Sequence, residues 1–456
     1  MDKKAQLSAS IVAGLAAFLA PFMGASVNIA LPSIGREFEA DAVLLGWVAT
    51  AYILAAAVFL VPFGKLADIH GRKRTFIAGI AVYTAASLLC ASAVSAWALI
   101  GFRVLQGIGA ALIFGTSVAI LTSVFPPGRR GKALGINTAS TYLGLSLGPV
   151  LGGLLTQQFG WRSIFVLNLP LGILILVLVL AMLKGEWAEA RGERFDLFGA
   201  AFYGLTLIGI MLGFSRLPQK SGFLLFAAGI VLAGAFVLRE TKTENPLLKT
   251  ELFRANKVFA FSNLAALINY SATFAVGFFV SLYLQYLKGM SPRSAGLVLI
   301  AQPVVMTVFS PFAGRLSDRI EPRIVASVGM AISSFGLLLL AFLGDGTKMV
   351  FVIISLAVLG FGFALFSSPN TNAVMCSVER KLYGVASATL GTMRLVGQMF
   401  SMGMAMMIFS VFIGRVQITA ANQAGFLQAV RTGFIIFAAL CLAGVFASLA
   451  RGNRKG

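Results

Sequence analysis

The chain has 456 residues, of which 58% are hydrophobic and only 11% charged, with a mean hydropathy of +0.91. Soluble domains are roughly 45–50% apolar and about 25% charged, so a water-soluble fold is excluded. The net charge of +20 would suit nucleic acid, but its distribution assigns it to a membrane surface, and no nucleic-acid partner is expected.

In chain order, fourteen apolar runs long enough to cross a bilayer are predicted at 9–31, 46–66, 75–95, 97–124, 133–157, 163–183, 196–215, 222–239, 257–286, 293–313, 324–343, 348–371, 382–411 and 428–450. The basic N-terminus resembles a signal peptide, yet its apolar run is too long and lacks a clear A-x-A cleavage site, which predicts a retained span. If the N-terminus is cytoplasmic, Lys and Arg concentrate on the loops of that side. This asymmetry places both termini in the cytoplasm of a multi-pass cell (plasma or inner) membrane protein, with the basic loops facing anionic lipid.

The first span contains "PFMGASVNIALP" at 21–32, apolar except for Asn28 and without an ionisable group. After the second comes "GKLADIHGRKR" at 64–74. Gly64 would let two helices approach closely. Asp68 lies within reach of Arg72, Lys73, Arg74 and a neighbouring helix N-terminus, whose partial positive charge favours a carboxylate. Such a cluster, with Gly71 at its turn, can clamp one conformation and open in another; the bland alternative is an ordinary basic loop.

The fourth span carries "LIGFRVLQGIGAA" at 99–111, with Arg103 and Gln106 one turn apart on one face. A charge inside a membrane usually faces a polar cavity, although an arginine at that depth can also snorkel outward. In the fifth, "GLSLGPVLGG" sets Gly144, Gly148, Gly152 and Gly153 around Pro149. Glycines four residues apart form a flat packing face, and the proline permits a kink.

The sequence also repeats itself. "GKLAD" at 64–68 returns as "GRLSD" at 314–318, "GIGAAL" at 107–112 as "GFGFAL" at 360–365, and "KALG" at 132–135, more weakly, as "KLYG" at 381–384. Three echoes in one order predict two homologous six-helix halves, 1–183 and 257–456, with two additional helices in 196–239. Gly314 and Asp318 would then be the second-half counterparts of the Asp68 latch. Parallel repeats with a site between them are a transporter architecture.

These motifs together resemble the major facilitator superfamily, and the fourteen spans resemble its drug–proton antiporter branch, often labelled EmrB/QacA-like. "GKLADIHGRKR" is similar to the family's loop motif between helices two and three, Arg103 to the arginine of its fourth-helix motif, and "GLSLGPVLGG" to its antiporter motif. "NIALP" resembles the end of the first-helix motif. The resemblance covers the full chain. It implies an all-α polytopic fold of two six-helix halves plus two central helices, an exporter of small amphipathic organic compounds or drugs, and alternating access.

One departure matters. Aligned on "NIALP", the family's first-helix pattern usually has an aspartate where this chain has Met23. All sixteen acidic residues fall in loops or at span ends, and the only histidine, His70, sits in a basic loop. The usual side chains for intramembrane proton relay are therefore missing, and a uniporter or anion-coupled carrier of organic anions stands as the alternative to antiport.

Arg394 lies deep in its span with Gln398 one turn on, where a bare charge costs at least ~2.5–3.5 kcal/mol on insertion scales. It could recognise an anion, bond backbone carbonyls structurally, or act in gating. The resemblance places cavity helices at spans 1, 4, 9 and 12. That makes Asn28, Arg103, Gln106, Asn263, Asn269, Tyr270, Asn370 and Asn372 candidate lining, joined by Asn137 and Tyr142 of span five and by Arg394 and Gln398. No cofactor, metal or enzyme chemistry is expected: the three cysteines have no metal-ligand spacing and no acid–base or nucleophile constellation is visible. The expected partners are a small-molecule substrate and membrane lipid, with the chain a monomer.

Overall fold

The computed structural model describes residues 3–126, 130–243, 246–248, 250–379 and 382–451. Among them all regular structure is helical: α1 (Lys3–Glu37), α2 (Ala42–His70), α3 (Arg72–Ala91), α4 (Ala96–Val124), α5 (Arg130–Phe159), α6 (Arg162–Met182), α7 (Leu197–Arg216), α8 (Lys220–Glu240), α9 (Lys257–Leu287), α10 (Pro292–Ser317), α11 (Pro322–Leu340), α12 (Met349–Cys376), α13 (Tyr383–Phe412) and α14 (Gln423–Leu449). Local chemistry sets several starts. Asp41, Ser95, Asp196 and Asn256 each accept a hydrogen bond from the backbone N–H three residues on, satisfying a donor the first turn leaves open. Pro292 and Pro322 occupy first-turn positions, where a missing N–H costs nothing.

Among the described residues, thirteen helices are long and apolar enough to cross a membrane, one fewer than the sequence predicts. The exception is α5, predicted as a span at 133–157. It is a continuous helix of 30 residues packed along α1, but Asn137, Ser140, Thr141, Ser146 and Thr156 dilute its apolar character. Its environment is protein along much of its length, so it needs less grease than a lipid-facing helix.

The packing repeats as the sequence does. Gly107 of α4 lies against the carbonyl of Tyr52 on α2, and Gly360 of α12 against that of Gln302 on α10. Gly79 and Gly109 bring α3 onto α4, and Gly329 and Gly362 bring α11 onto α12 in the same way. In each case a Cβ would collide with the facing helix, so glycine sets the helix spacing.

The face of the bundle that carries the start of α1 and the end of α14 is called the terminal face below, and the other the opposite face. Hydrogen bonds between the first six helices and α9–α14 gather towards the opposite face. Ser281 Oγ donates to the Asn28 carbonyl at 2.6 Å, Gln285 Nε2 to the Ile29 carbonyl at 2.9 Å, and Ala42 N–H to the Val416 carbonyl at 3.3 Å. Helices α7 and α8 pack on each other, and α7 lies across the seam between α2 and α13. Tyr203 donates to the Ala57 carbonyl on α2 at 3.0 Å, while Phe214 meets Phe400 of α13 edge-on with centroids 6.1 Å apart.

Candidate functional site

The glycine motif of α5 seats the helix on α1 and meets the other half at one position. Gly144, Gly148 and Gly152 press on α1 at Phe18, Phe22 and Ser26, and Ser26 Oγ donates to the Gly148 carbonyl at 3.0 Å. Gly153 faces the other half instead: a Cβ there would come 2.5 Å from the Pro292 carbonyl oxygen. The contact is reciprocal, because a Cβ on Gly296 of α10 would overlap the Pro149 carbonyl oxygen. Gly296 was not singled out from sequence, where an isolated glycine beside a serine-rich turn carries no pattern.

Below this join lies a cluster with members from both halves. Tyr142 of α5 donates to Ser367 Oγ of α12 at 3.1 Å, and Ser146 pairs with Thr307 of α10 at 3.4 Å. Tyr142, Met306 and Phe363 form a small apolar core with Tyr270 packed on it. Tyr270 and Phe363 meet edge to face, centroids 5.3 Å apart at 87°. On this aromatic corner sits Arg394, its guanidinium carbon 5.7 Å from the Tyr270 ring centre. Arg394 Nη2 donates to Thr371 Oγ1 at 2.7 Å, whereas its Nε is buried and donates to nothing among the described residues. By helix rise Arg394 is about 17 Å from the start of α13, and no carboxylate is paired with it among the described residues. A cation–π contact and one hydroxyl satisfy part of a guanidinium that has five donors.

Arg103 behaves differently, and the expectation that it lines a cavity beside Arg394 needs correcting. It is 1% exposed. Its Nε donates to the Val48 carbonyl at 3.2 Å, its Nη1 to Gln106 Oε1 at 2.6 Å, and it lies 4.4 Å from the centre of the Tyr52 ring. Gln106 passes the connection to Ser87 Oγ at 2.8 Å. The result is a closed network tying α2, α3 and α4 together inside the first half.

The other candidates are dispersed. Asn263, Asn269 and Asn370 are fully enclosed, with Asn263 bonded to its own helix at Phe259. Asn372 reaches Ser317 of α10 at 3.2 Å. Asn28 lies where α1 crosses α9, Asn137 is half-buried on α5, and Gln398 is half-buried one turn beyond Arg394.

At the terminal face, Asp68 and Arg72 pair as expected, Nε to Oδ1 at 2.7 Å. The rest of the arrangement was not foreseen. The 184–195 segment lies over the ends of α2 and α3. Glu189 takes both Arg72 terminal nitrogens, at 2.8 and 3.1 Å, and Arg72 also donates to Ser123 Oγ at 2.6 Å. Glu186, not Asp68, supplies the carboxylate at the N-terminus of α3, accepting from the amides of Lys73 and Arg74 at 2.7 and 3.2 Å. Glu193 pairs with Lys65. Gly71 adopts φ +123°, and a Cβ there would sit 2.6 Å from the Glu186 carboxyl carbon. Gly64 has open space beside it, although Gly115 of α4 approaches its backbone. In the repeat, Ser317 donates to the Gly314 carbonyl at 2.7 Å; the side chain of Asp318 lies outside the described residues.

Comparison with known proteins agrees with this architecture. The sequence profile of the Major Facilitator Superfamily matches residues 13–238 and 262–455. The chain is 29% identical over 439 residues to the riboflavin transporter RibZ of Clostridioides difficile (strain 630), covering 95% of each chain. It is 34% identical over 414 residues to the cephamycin export protein CmcT of Amycolatopsis lactamdurans, covering 88% of this chain and 84% of that one. Among solved structures, it is similar to a bacterial homologue of the human lysosomal transporter Spinster in an inward-facing, unoccupied conformation. The TM-score is 0.70 at 18% identity, covering 99% of this chain and 98% of that one.

Proposed function

Because the chain belongs to the Major Facilitator Superfamily and is thus a multi-pass membrane transporter rather than an enzyme, we propose that it is a secondary active exporter of small amphipathic organic compounds, alternating its two halves around the Arg394–Tyr270 cluster. The observation that carries this reading is the one-sided distribution of cross-half contacts. Gly153, Pro292, Gly296, Ser281 and Gln285 close the opposite face, while Gly135 of α5 and Gly384 of α13, near the terminal face, have open space beside them. With both termini in the cytoplasm, as the Lys and Arg asymmetry favours, this is a state open to the cytoplasm. In this reading the halves are 1–183 and 257–456, with 196–239 an added hairpin bracing the α2–α13 seam. The latch is Asp68 with Arg72, and the chain works as a monomer in the cell membrane. The fourteen-helix drug–proton antiporter branch is the subgroup we assign, and relatives named for riboflavin transport and cephamycin export support a small organic cargo.

A second reading is favoured by one observation, the absence of any acidic residue from the middle of the spans. An organic anion could leave a negative-inside cell on the potential alone, which supplies about 2.3 kcal/mol per charge per 100 mV. Purified protein in proteoliposomes separates the two. Antiport predicts that a proton gradient at zero potential drives dye movement; the anion carrier predicts that potential alone suffices. No movement of any dye under either force would remove both.

A further inference from the structure

We propose that the Arg394 cluster is a recognition site for planar aromatic organic anions, an inference that rests on the transport reading and names its cargo class. Three features of the cluster specify the ligand. The guanidinium presents a buried Nε–H that no described residue accepts, beside an Nη2 held by Thr371. A planar fork of N–H donors matches a carboxylate or an ionised phenolic oxygen in a way a point charge does not. Next to it, the Tyr270–Phe363 corner and Met306 offer an apolar, aromatic wall, suited to stacking a flat ring.

The sign of charge follows from what faces the site. Arg394 is its one ionised group among the described residues, and the neighbours contributed by α5, α9, α10 and α12 are Tyr142, Tyr270, Thr307, Ser367 and Thr371, all neutral hydroxyls. An organic cation would meet an unscreened guanidinium, whereas an anion supplies the acceptor that Nε lacks. Arg103 contributes no competing recognition, since it is enclosed within the first six helices, with its Nε and Nη1 donating to Val48 and Gln106.

The test uses the full chain in detergent and two dyes with a shared xanthene frame, fluorescein as the anion and pyronin Y as the cation. Fluorescence anisotropy should show fluorescein binding at least tenfold tighter than pyronin Y. Benzoate should compete for the fluorescein site and benzamide should not, a comparison that needs no variant. Arg394→Gln should weaken fluorescein at least tenfold, and Arg394→Lys should restore only part of the loss. Preferential pyronin Y binding, equal competition by benzamide, no binding of either dye, or unchanged fluorescein affinity in folded Arg394→Gln would overturn the assignment. Proteoliposome assays keep the two readings apart. Pyronin Y transport insensitive to Arg394→Gln would retain the transporter and refute the anion site, while Arg394-dependent fluorescein binding without any transport would do the reverse.

Discussion

Glu189 holds Arg72 across 117 residues of chain, with both terminal guanidinium nitrogens engaged at 2.8 and 3.1 Å. The pair joins the segment between α6 and α7 to the first residue of α3. Arg72 is 8% exposed at its side chain and Glu189 is 66% exposed, so solvent screens one partner and the bond is worth about 1 kcal/mol. Glu189→Gln should therefore leave the fold intact but raise hydrogen exchange in residues 184–195 several-fold. Unchanged exchange there would show that Glu186, Glu193 and the backbone bonds from Arg72 N–H to Trp187 and from Ala190 N–H to Asp68 hold the segment without Glu189.

Gly71 combines a left-handed φ with the Glu186 carboxylate where a side chain would go. Gly71→Ala should cost about 1–3 kcal/mol and should also displace Glu186 from the start of α3. A thermal melt measures the first effect. The second appears as loss of any additional destabilisation when Glu186→Gln is added, because the two changes remove one contact.

Gly296 permits the closest approach of the two halves on the opposite face. Overpacking of a tight contact costs about 1–3 kcal/mol, so Gly296→Leu should shift the population away from that closed state by roughly five- to 150-fold. The expected phenotype is loss of transport with ligand binding retained, read by transport and anisotropy on the same preparation.

Arg103 and Arg394 should differ in kind. Removing Arg103 leaves Gln106 Oε1 without its donor in an enclosed network, at a cost of about 1–3 kcal/mol. Arg103→Ala should lower the melting temperature and leave the dissociation constant of the surviving protein unchanged. Arg394→Gln should do the opposite, with affinity falling more than stability.

Asp196 gives the pH dependence. Burial raises its pKa, but the hydrogen bonds from Arg239 and the Gly199 amide outweigh burial and hold the carboxyl below its ordinary value. A depressed folded pKa contributes stability above the unfolded value, near 3.9, and loses it as pH falls through the folded value. Asp196→Asn should thus lower the melting temperature at pH 7, and the gap from wild type should narrow below about pH 4.

Much of the architecture could be read from the sequence because the bilayer imposes it: each span must be apolar and about 20 residues long. The prediction was weakest at α5, where hydroxyl and amide side chains lower the apolar signal that a helix packed against protein no longer needs. At the terminal face the basic partner, Asp68 to Arg74, stood out as a motif, but its acidic partner did not. Glu186, Glu189 and Glu193 lie more than a hundred residues away and show only as acids spaced three and four apart in a short loop. That complementarity is present in the sequence, but no motif ties it to Asp68 and Arg72. Arg394 could be read as a buried charge, yet its setting could not, since Thr371, Phe363 and Met306 are ordinary residues for a membrane helix. Arg103 misled for the opposite reason: a charged residue deep in a span suggests a cavity, and here backbone and glutamine satisfy it instead.

Alternating access is tested most directly by distances measured on both faces. Cys376 is exposed on α12 while Cys90 and Cys441 are buried, so the native thiol and Ile136→Cys on α5 form a spin-label pair at the terminal face. With Cys376→Ser, Val94→Cys and Val350→Cys, both on exposed residues, form the pair at the opposite face. Saturating fluorescein should shorten the first distance distribution and lengthen the second, each read in its own variant. Bound ligand with both distributions unmoved would contradict the account.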